Sequence, residues 1–434
     1  MTPQSSFMIV SPILTEQRDS LETLLASMNA PSGQADPRNE VIPFGNFDTL
    51  HNARLLIIEA NTASDIEAFG WQPHEFAPVL AFLGEVDGDR DTFLAHLAIV
   101  ASTGLSRLFS HCNGFETHKG TLLAFLQTHS APSAATYINW IGRTVIQVHE
   151  ESRLQAFLAE TLDSLQASSE AIDVRQLRQA LSTAVELAIH EGKLTLTPES
   201  PTPWSYRFRT TLDLVGFPLI VLALSPVLLL ASPFVLWRLR SLEQSDPDID
   251  LRPDPAHVDR LSVIEDVDVS NQFNVFGDVK PGLFRYYLLK AIMRVVDYTA
   301  RHVYKRGFLG RVRTIHCARW VFLNDRRSMF FASLYDGSLE SYMDDFINKV
   351  AFGLNLTFSH GVGYPRTRWM IKGGAELEQP FKDTLRRHQL PSAVWYRAHP
   401  GLTAFDMARN TRLRQGLERY PRNDAAIRHW LDEF

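Results

Sequence analysis

Apolar positions along this chain recur with two periods. Over His51 to Glu59 and Val79 to Val86 they are almost continuous and rich in aliphatic and β-branched residues, the pattern of buried strands. After Asp87-Gly88, the residues Phe93, Leu94, Leu97, Ile99 and Val100 fall at helical spacing. This predicts a helix from about Arg90 to Ser102, stopped by Gly104. The same reading predicts a strand at Leu108 to Phe115, a helix near Leu122 to Thr128, a strand at Thr136 to Val148 and a helix at Arg153 to Leu165. Strands thus alternate with helices across residues 41–168.

Much of this pattern returns later in the chain. Thr49, His51, Ala53 and Arg54 recur as Thr314, His316, Ala318 and Arg319. Phe82 to Phe115 aligns without a gap on Phe331 to Tyr364, with nine of 34 positions identical, among them Asp87-Gly88 with Asp336-Gly337 and Phe109-Ser110-His111 with Phe358-Ser359-His360. A third block pairs His129, Pro132, Ser133, Tyr137, Gly142 and Thr144 with His388, Pro391, Ser392, Tyr396, Gly401 and Thr403. Three ordered blocks without a crossing indicate an internal duplication. Each module leaves one sheet face needing cover, and the other copy is its natural partner.

Between the copies, Leu214 to Trp237 contains no charged residue, which exceeds the roughly 18 apolar residues that mark a membrane segment. A buried core helix is the alternative. Pro218, Pro226 and Pro233 each remove a helix hydrogen bond, and two packed copies require both ends of the segment on one side of a bilayer. The expectation is therefore a hairpin at 201–240 that enters one leaflet as a monotopic anchor. Arg207, Arg209, Arg238 and Arg240 at its feet place the globular part on the cytoplasmic side.

The remaining segments are read as a mobile arm at 1–40, module 1 at 41–168, a helical connector at 169–200, an acidic linker at 241–270 and module 2 at 314–434. Residues 271–313 read as a basic amphipathic helix, suited either to anionic lipid or to core packing with a charged outer face.

Composition adds exclusions. A net charge of −6 gives no general attraction to nucleic acid. Two cysteines, Cys112 and Cys317, make no disulfide framework and no zinc spacing. The N-terminal residues lack a secretory-signal pattern. No P-loop, dinucleotide fingerprint, Gly-x-Ser-x-Gly or His-Glu-x-x-His occurs.

The duplicated order of elements resembles the dimeric α/β-barrel superfamily. The implied fold class is α+β: two ferredoxin-like modules packed as a pseudo-dimeric α/β barrel with an inserted hydrophobic membrane hairpin. Within that superfamily, Gly84-Glu85-Val86-Asp87-Gly88 is similar to the Gly-x-x-Asp-Gly signature of the dye-decolorising peroxidases, whose Asp lies on the distal side of a haem. The second copy departs from it, with Ser333 in place of the first Gly. The resemblance implies haem as cofactor, Asp87 as the proton-handling carboxylate and Arg319 as a stabiliser of developing charge. His360, in Phe358-Ser359-His360-Gly361-Val362-Gly363, is the favoured iron ligand, because haem iron needs a neutral imidazole and the glycines let backbone approach a ligand.

Plainer readings stand beside these. Asp-Gly between strand and helix is ordinary turn and cap chemistry, and histidines kept in both copies can serve the shared fold. The leading expectation is a membrane-anchored, peroxidase-like oxidoreductase acting on a hydrophobic small molecule from the lipid. The alternatives are a non-catalytic scaffold that binds lipid or a partner at the membrane surface, and a cofactor-independent monooxygenase.

Overall fold

The computed structural model describes residues 1–118, 120–167, 173–304, 309–419 and 423–434. In chain order, the first half comprises β1 (Gln4–Pro12), α1 (Arg18–Ala26), β2 (Leu50–Ile58), α2 (Ala63–Ala68), β3 (Val79–Asp87), α3 (Arg90–Val100), α4 (Ser102–Phe109), α5 (Leu122–Thr128), β4 (Ser133–Ile138) and α6 (Val145–Ala167). Then come α7 (Val174–His190), α8 (Trp204–Ser245) and α9 (Pro255–Ser262). The second half comprises β5 (Ser270–Asp278), α10 (Leu283–His302), β6 (Ile315–Leu323), β7 (Ser328–Asp336), α11 (Leu339–Phe358), a short β8 (Thr367–Arg368) with β9 (Lys372–Gly373), α12 (Glu378–His388), β10 (Val394–Arg397), α13 (Ala404–Glu418) and α14 (Asp424–Leu431).

Two four-stranded antiparallel sheets form, ordered β1-β3-β2-β10 and β4-β6-β7-β5. Each sheet takes three strands from one half and its fourth from the other. β10 pairs with β2 through Val394–Leu55 and Tyr396–Ala53, and β4 pairs with β6 through Ala135–Trp320 and Tyr137–Ala318. Neither half completes a sheet alone. Strand equivalences follow the repeat: β2 matches β6, β3 matches β7, and β4 matches β10.

The sheets face one another over an apolar core that includes Met8, Leu56, Leu83, Val321, Phe330 and Ala332. Their outer faces are covered by α3–α5 on one side and α10–α12 on the other. Burial on both faces explains why β3 and β7 are buried at every position and read as continuous apolar runs. The anticipated closed barrel does not appear: among the described residues no strand pair joins the two sheets.

Several expectations need correction. The supposed mobile arm contains β1, paired with β3 from Gln4–Asp87 to Pro12–Val79, with Phe7 and Ile9 fully buried. Of the strand expected at Leu108 to Phe115, Leu108 and Phe109 are the end of helix α4 and the rest is turn, with Cys112 bridged to Ile13. Gly104 does not end a helix but permits close packing, since a Cβ there would overlap the Val41 carbonyl. The strand expected to reach Val148 ends at Ile138, and a turn through Gly142 (φ +103°) leads into α6. Residues 271–313 open with the ladder-paired β5 before α10 begins, and Lys305 and Arg306, also assigned to that basic helix, lie outside the described residues. The acidic linker holds the end of α8 and all of α9.

The hairpin is replaced by one continuous helix, α8, of 42 residues that runs through all three prolines. Each proline strips a partner from the carbonyl four residues earlier. Those carbonyls are satisfied by hydroxyls instead. Tyr298 donates to Leu214 O (3.0 Å), Ser225 to Leu222 O (2.7 Å) and Ser232 to Leu229 O (2.8 Å). This helix is long and apolar enough to cross a membrane, and none of its apolar window is buried in the protein.

Candidate functional site

The repeated histidines sit at irregularities in the sheet. The β2–β3 register shifts between Leu50 and Asn52, and the β6–β7 register shifts between Ile315 and Cys317, so His51 and His316 are each the extra residue of a β-bulge. A bulge re-aims its side chain out of the strand's normal alternation. Both imidazoles consequently face a single cavity of about 60 Å³ at one end of the inter-sheet space, together with Gln4, Ser270, Trp140 and His399.

Each histidine is backed by the repeated aspartate. His51 Nε2 lies 2.9 Å from Asp87 Oδ1, and His316 Nε2 lies 2.6 Å from Asp336 Oδ1. The second carboxylate oxygen caps a helix: Asp87 Oδ2 accepts from Val145 N at the start of α6 (2.9 Å), and Asp336 Oδ2 accepts from Ala404 N at the start of α13 (2.8 Å). The positive ends of two helices therefore hold both carboxylates. Gln4 and Ser270, equivalent positions on β1 and β5, donate to Asp87 Oδ1 (3.2 Å) and Asp336 Oδ1 (2.7 Å). The glycines after the aspartates share a left-handed conformation, φ +82° at Gly88 and +84° at Gly337, which turns the chain toward α3 and α11. Asp87 does not cap the helix that follows it; Asp89 does, accepting from Thr92 N (3.0 Å).

With Nε2 donating to Asp336, Nδ1 is the basic nitrogen of His316, while His51 Nε2 faces both Asp87 and the Gln4 side-chain nitrogen at 2.7 Å. His51 Nδ1 lies 3.3 Å from His399 Nε2. Burial, then the charges of His51, His149, His316 and Arg397, push the His399 imidazole well below its usual range, so it is neutral at physiological pH. His316 Nδ1 has no hydrogen bond among the described residues and is the freer base.

Beneath the cavity the sheets are tied by charge. Arg319 donates to Phe7 O, Gly84 O (2.9 Å) and Glu85 Oε1. Its counterpart Arg54 crosses the other way, to Asn274 Oδ1 (2.7 Å) and Ser333 O (2.8 Å). Burial alone would raise the Glu85 carboxyl, but the Arg319 and Arg54 guanidiniums hold it below the usual carboxylate range. Gly84 is required by packing, since a Cβ would meet Asn52 O at 2.4 Å and the Phe7 ring at 2.8 Å.

Comparison of the chain with protein-family models, curated proteins and solved structures finds no match.

The residues singled out from sequence do not converge. Asp87 stands behind His51 at the dyad end of the inter-sheet space. Arg319 lies deeper, its guanidinium engaged with the opposite sheet. His360 follows α11, beside Val279 at the far end of β5 from Ser270, so the length of a nine-residue strand, roughly 30 Å, separates it from the dyads. Its ring is buried, neither nitrogen has a partner, and burial with the Arg285 and Lys280 charges pushes it down to about 3. The neighbouring cavity, bounded by Gly361, Val362 and His388, is only about 40 Å³ and is not lined by the His360 ring.

These residues do not fit a haem. Pockets for ligands of drug size or larger run to roughly 300–1000 Å³, whereas the dyad cavity holds about four waters at 10–15 Å³ each. Cys112 and Cys317 are buried free thiols; burial raises the first to about 12 and pushes the second up as well. Sequence reasoning named Asp87 and noted His51 and His316, but missed His399, Gln4 and Ser270. The shared Thr-x-His and Asp-Gly blocks were the available signal for the dyads.

Proposed function

We propose that the inter-sheet cavity is an acid–base site in a membrane-attached protein, taking the polar end of a small hydrophobic molecule. One observation carries this reading: two bulge-borne histidines, one from each half, are oriented by helix-capping carboxylates toward one cavity. The carboxylate fixes the tautomer and stabilises the imidazolium that forms when Nδ1 takes a proton, the division of labour used by His–Asp pairs in general base catalysis. His316 is the base on this reading, and neutral His399 sits against the second dyad in the cavity wall. The cavity admits only a reacting head group, so the rest of the molecule lies outside it. The face-to-face sheets with exchanged fourth strands support the duplicated ferredoxin-like fold expected from the repeat. A peroxidase reading through haem is not retained, because Asp87, Arg319 and His360 do not surround a common space.

The test is histidine-detected NMR of the detergent-solubilised full chain, titrated with a panel of small phenols, quinols and short carboxylic acids. Shifts at His316 and His51 from the same compounds, abolished in His316→Ala, support the proposal. No perturbation of these rings at millimolar concentration would remove it. The rival non-catalytic scaffold is favoured by the helix-capping contacts of Asp87 and Asp336. It predicts that His316→Ala lowers stability while no compound binds.

A further inference from the structure

We infer that α8 is a re-entrant membrane element: its apolar stretch lies among the acyl chains of one leaflet, both ends emerge on the same face, and lipid is its partner. The inference does not depend on the chemistry of the dyad cavity.

The first argument is the shape of the apolar surface. Leu219, Ile220, Val221 and Leu222 are 57%, 58%, 42% and 68% exposed. Consecutive helical residues are about 100° apart, so these four cover the whole circumference. A protein groove or a second copy of the chain buries one face of a helix, whereas acyl chains surround it. The second argument is the treatment of the prolines. Every carbonyl they orphan is bonded by a hydroxyl, two of them from the serine preceding the proline. Water would satisfy such carbonyls at no structural cost, but in hydrocarbon each must find an internal partner.

Topology then excludes a span. Residues before α8 supply β4 to the second sheet, and residues after it supply β10 to the first, so both flanks are woven into one body. The helix is also bound to that body on either side of its apolar stretch. Asp213 pairs with Arg294 and with His302 (2.9 Å); Asp246 pairs with Lys280 (2.8 Å) and Arg285 (2.7 Å); Glu243 accepts from Thr367 Oγ1 and from the backbone of Trp369 and Met370.

Geometry sets the depth. A straight helix from Asp213 to Asp246 would be roughly 50 Å long. Arg294 and Arg285, which hold Asp213 and Asp246, are only about 14 Å apart along α10. Extended side chains add roughly 12 Å at each contact, so Asp213 and Asp246 are within about 38 Å of one another and α8 must bow between them. An arc of that length on that chord rises about 15 Å, half of a hydrocarbon core about 30 Å thick. Arg207, Arg209 and Arg238 stand near its feet, where anionic headgroups would lie.

The experiment adds full-length protein to preformed, sealed phosphatidylcholine–phosphatidylglycerol vesicles. Ser205→Cys, Asp248→Cys and Leu228→Cys variants are probed with a membrane-impermeant maleimide, against a background of buried Cys112 and Cys317. Complete labelling at 205 and 248, with 228 protected until detergent is added, is the expected result. Labelling at only one of 205 and 248 would show a span and overturn the inference. So would labelling of 228 in sealed vesicles, or a lipid-free soluble dimer in which 228 is already protected, which would make a second copy the partner.

Discussion

Removing Arg319 tests how the two sheets are held together. Its guanidinium and the Glu85 carboxylate are both nearly inaccessible, at 2% and 5% side-chain exposure. Arg319→Met leaves Glu85 buried with Arg54 as its remaining cation and Asn52 as a hydrogen-bond partner, and strips a donor from the Phe7 and Gly84 carbonyls. Breaking one partner of a buried ion pair costs about 3–5 kcal/mol, and the loss here should fall in that range. Replacing both partners, as Glu85→Leu with Arg319→Met, removes the uncompensated charge, so the double variant should lose at least about 2 kcal/mol less than the sum of the singles. The assay is urea unfolding in detergent, followed by tryptophan fluorescence. The pH dependence gives a second check. Because the Glu85 carboxyl is depressed in the folded protein, its contribution is present above the usual carboxylate range and lost as pH falls through the folded value; Glu85→Leu should remove that part of the acid sensitivity. A cost below about 1 kcal/mol for Arg319→Met, or strict additivity in the double variant, would refute the claim that this pair joins the sheets.

Three further outcomes are expected. His360 is pushed down to about 3, so between there and the ordinary histidine value near 6.5 the unfolded chain binds a proton that the folded chain does not; stability falls by about 1.4 kcal/mol for each unit by which pH is lowered through that window, and His360→Phe should flatten the slope by one proton in denaturant titrations at stepped pH. Gly84→Ala forces a methyl onto the Asn52 carbonyl and the Phe7 ring and should cost about 1–3 kcal/mol in the same assay, whereas Gly353→Ala, which meets nothing within 4 Å, should change stability by less than about 1 kcal/mol. Ser225→Val with Ser232→Val frees two carbonyls in α8 and should weaken vesicle co-flotation several-fold; unchanged flotation would indicate that water reaches those groups.

How much of this was legible in the chain varies from residue to residue. Repetition of Thr-x-His, Asp-Gly and the Pro-Ser-Ala block marked positions that prove to matter in both halves: histidines on bulges, aspartates on helix starts, glycines in left-handed turns. What repetition could not reveal is which repeated residues meet. His51 and His316 are far apart in sequence and meet only because the sheets pack face to face, while His360, equally prominent in sequence, lies at the other end. β1 was missed because Gln4 to Pro12 reads as a strand only once its partner β3 is known. The continuity of α8 was missed because prolines were weighed by what they remove, without the hydroxyls that replace it.

By itself the sequence marked the internal repeat, a central segment long and apolar enough to cross a membrane, and the starts of β2 and β3, since these patterns can be read along the chain. Only the tertiary structure decided that the fourth strands are exchanged, that two His–Asp pairs share one cavity and that the arginines cross between sheets. Strand pairing joins residues hundreds of positions apart through backbone groups common to every residue. The choice of partner is therefore made by packing of the whole and leaves little trace in any one segment.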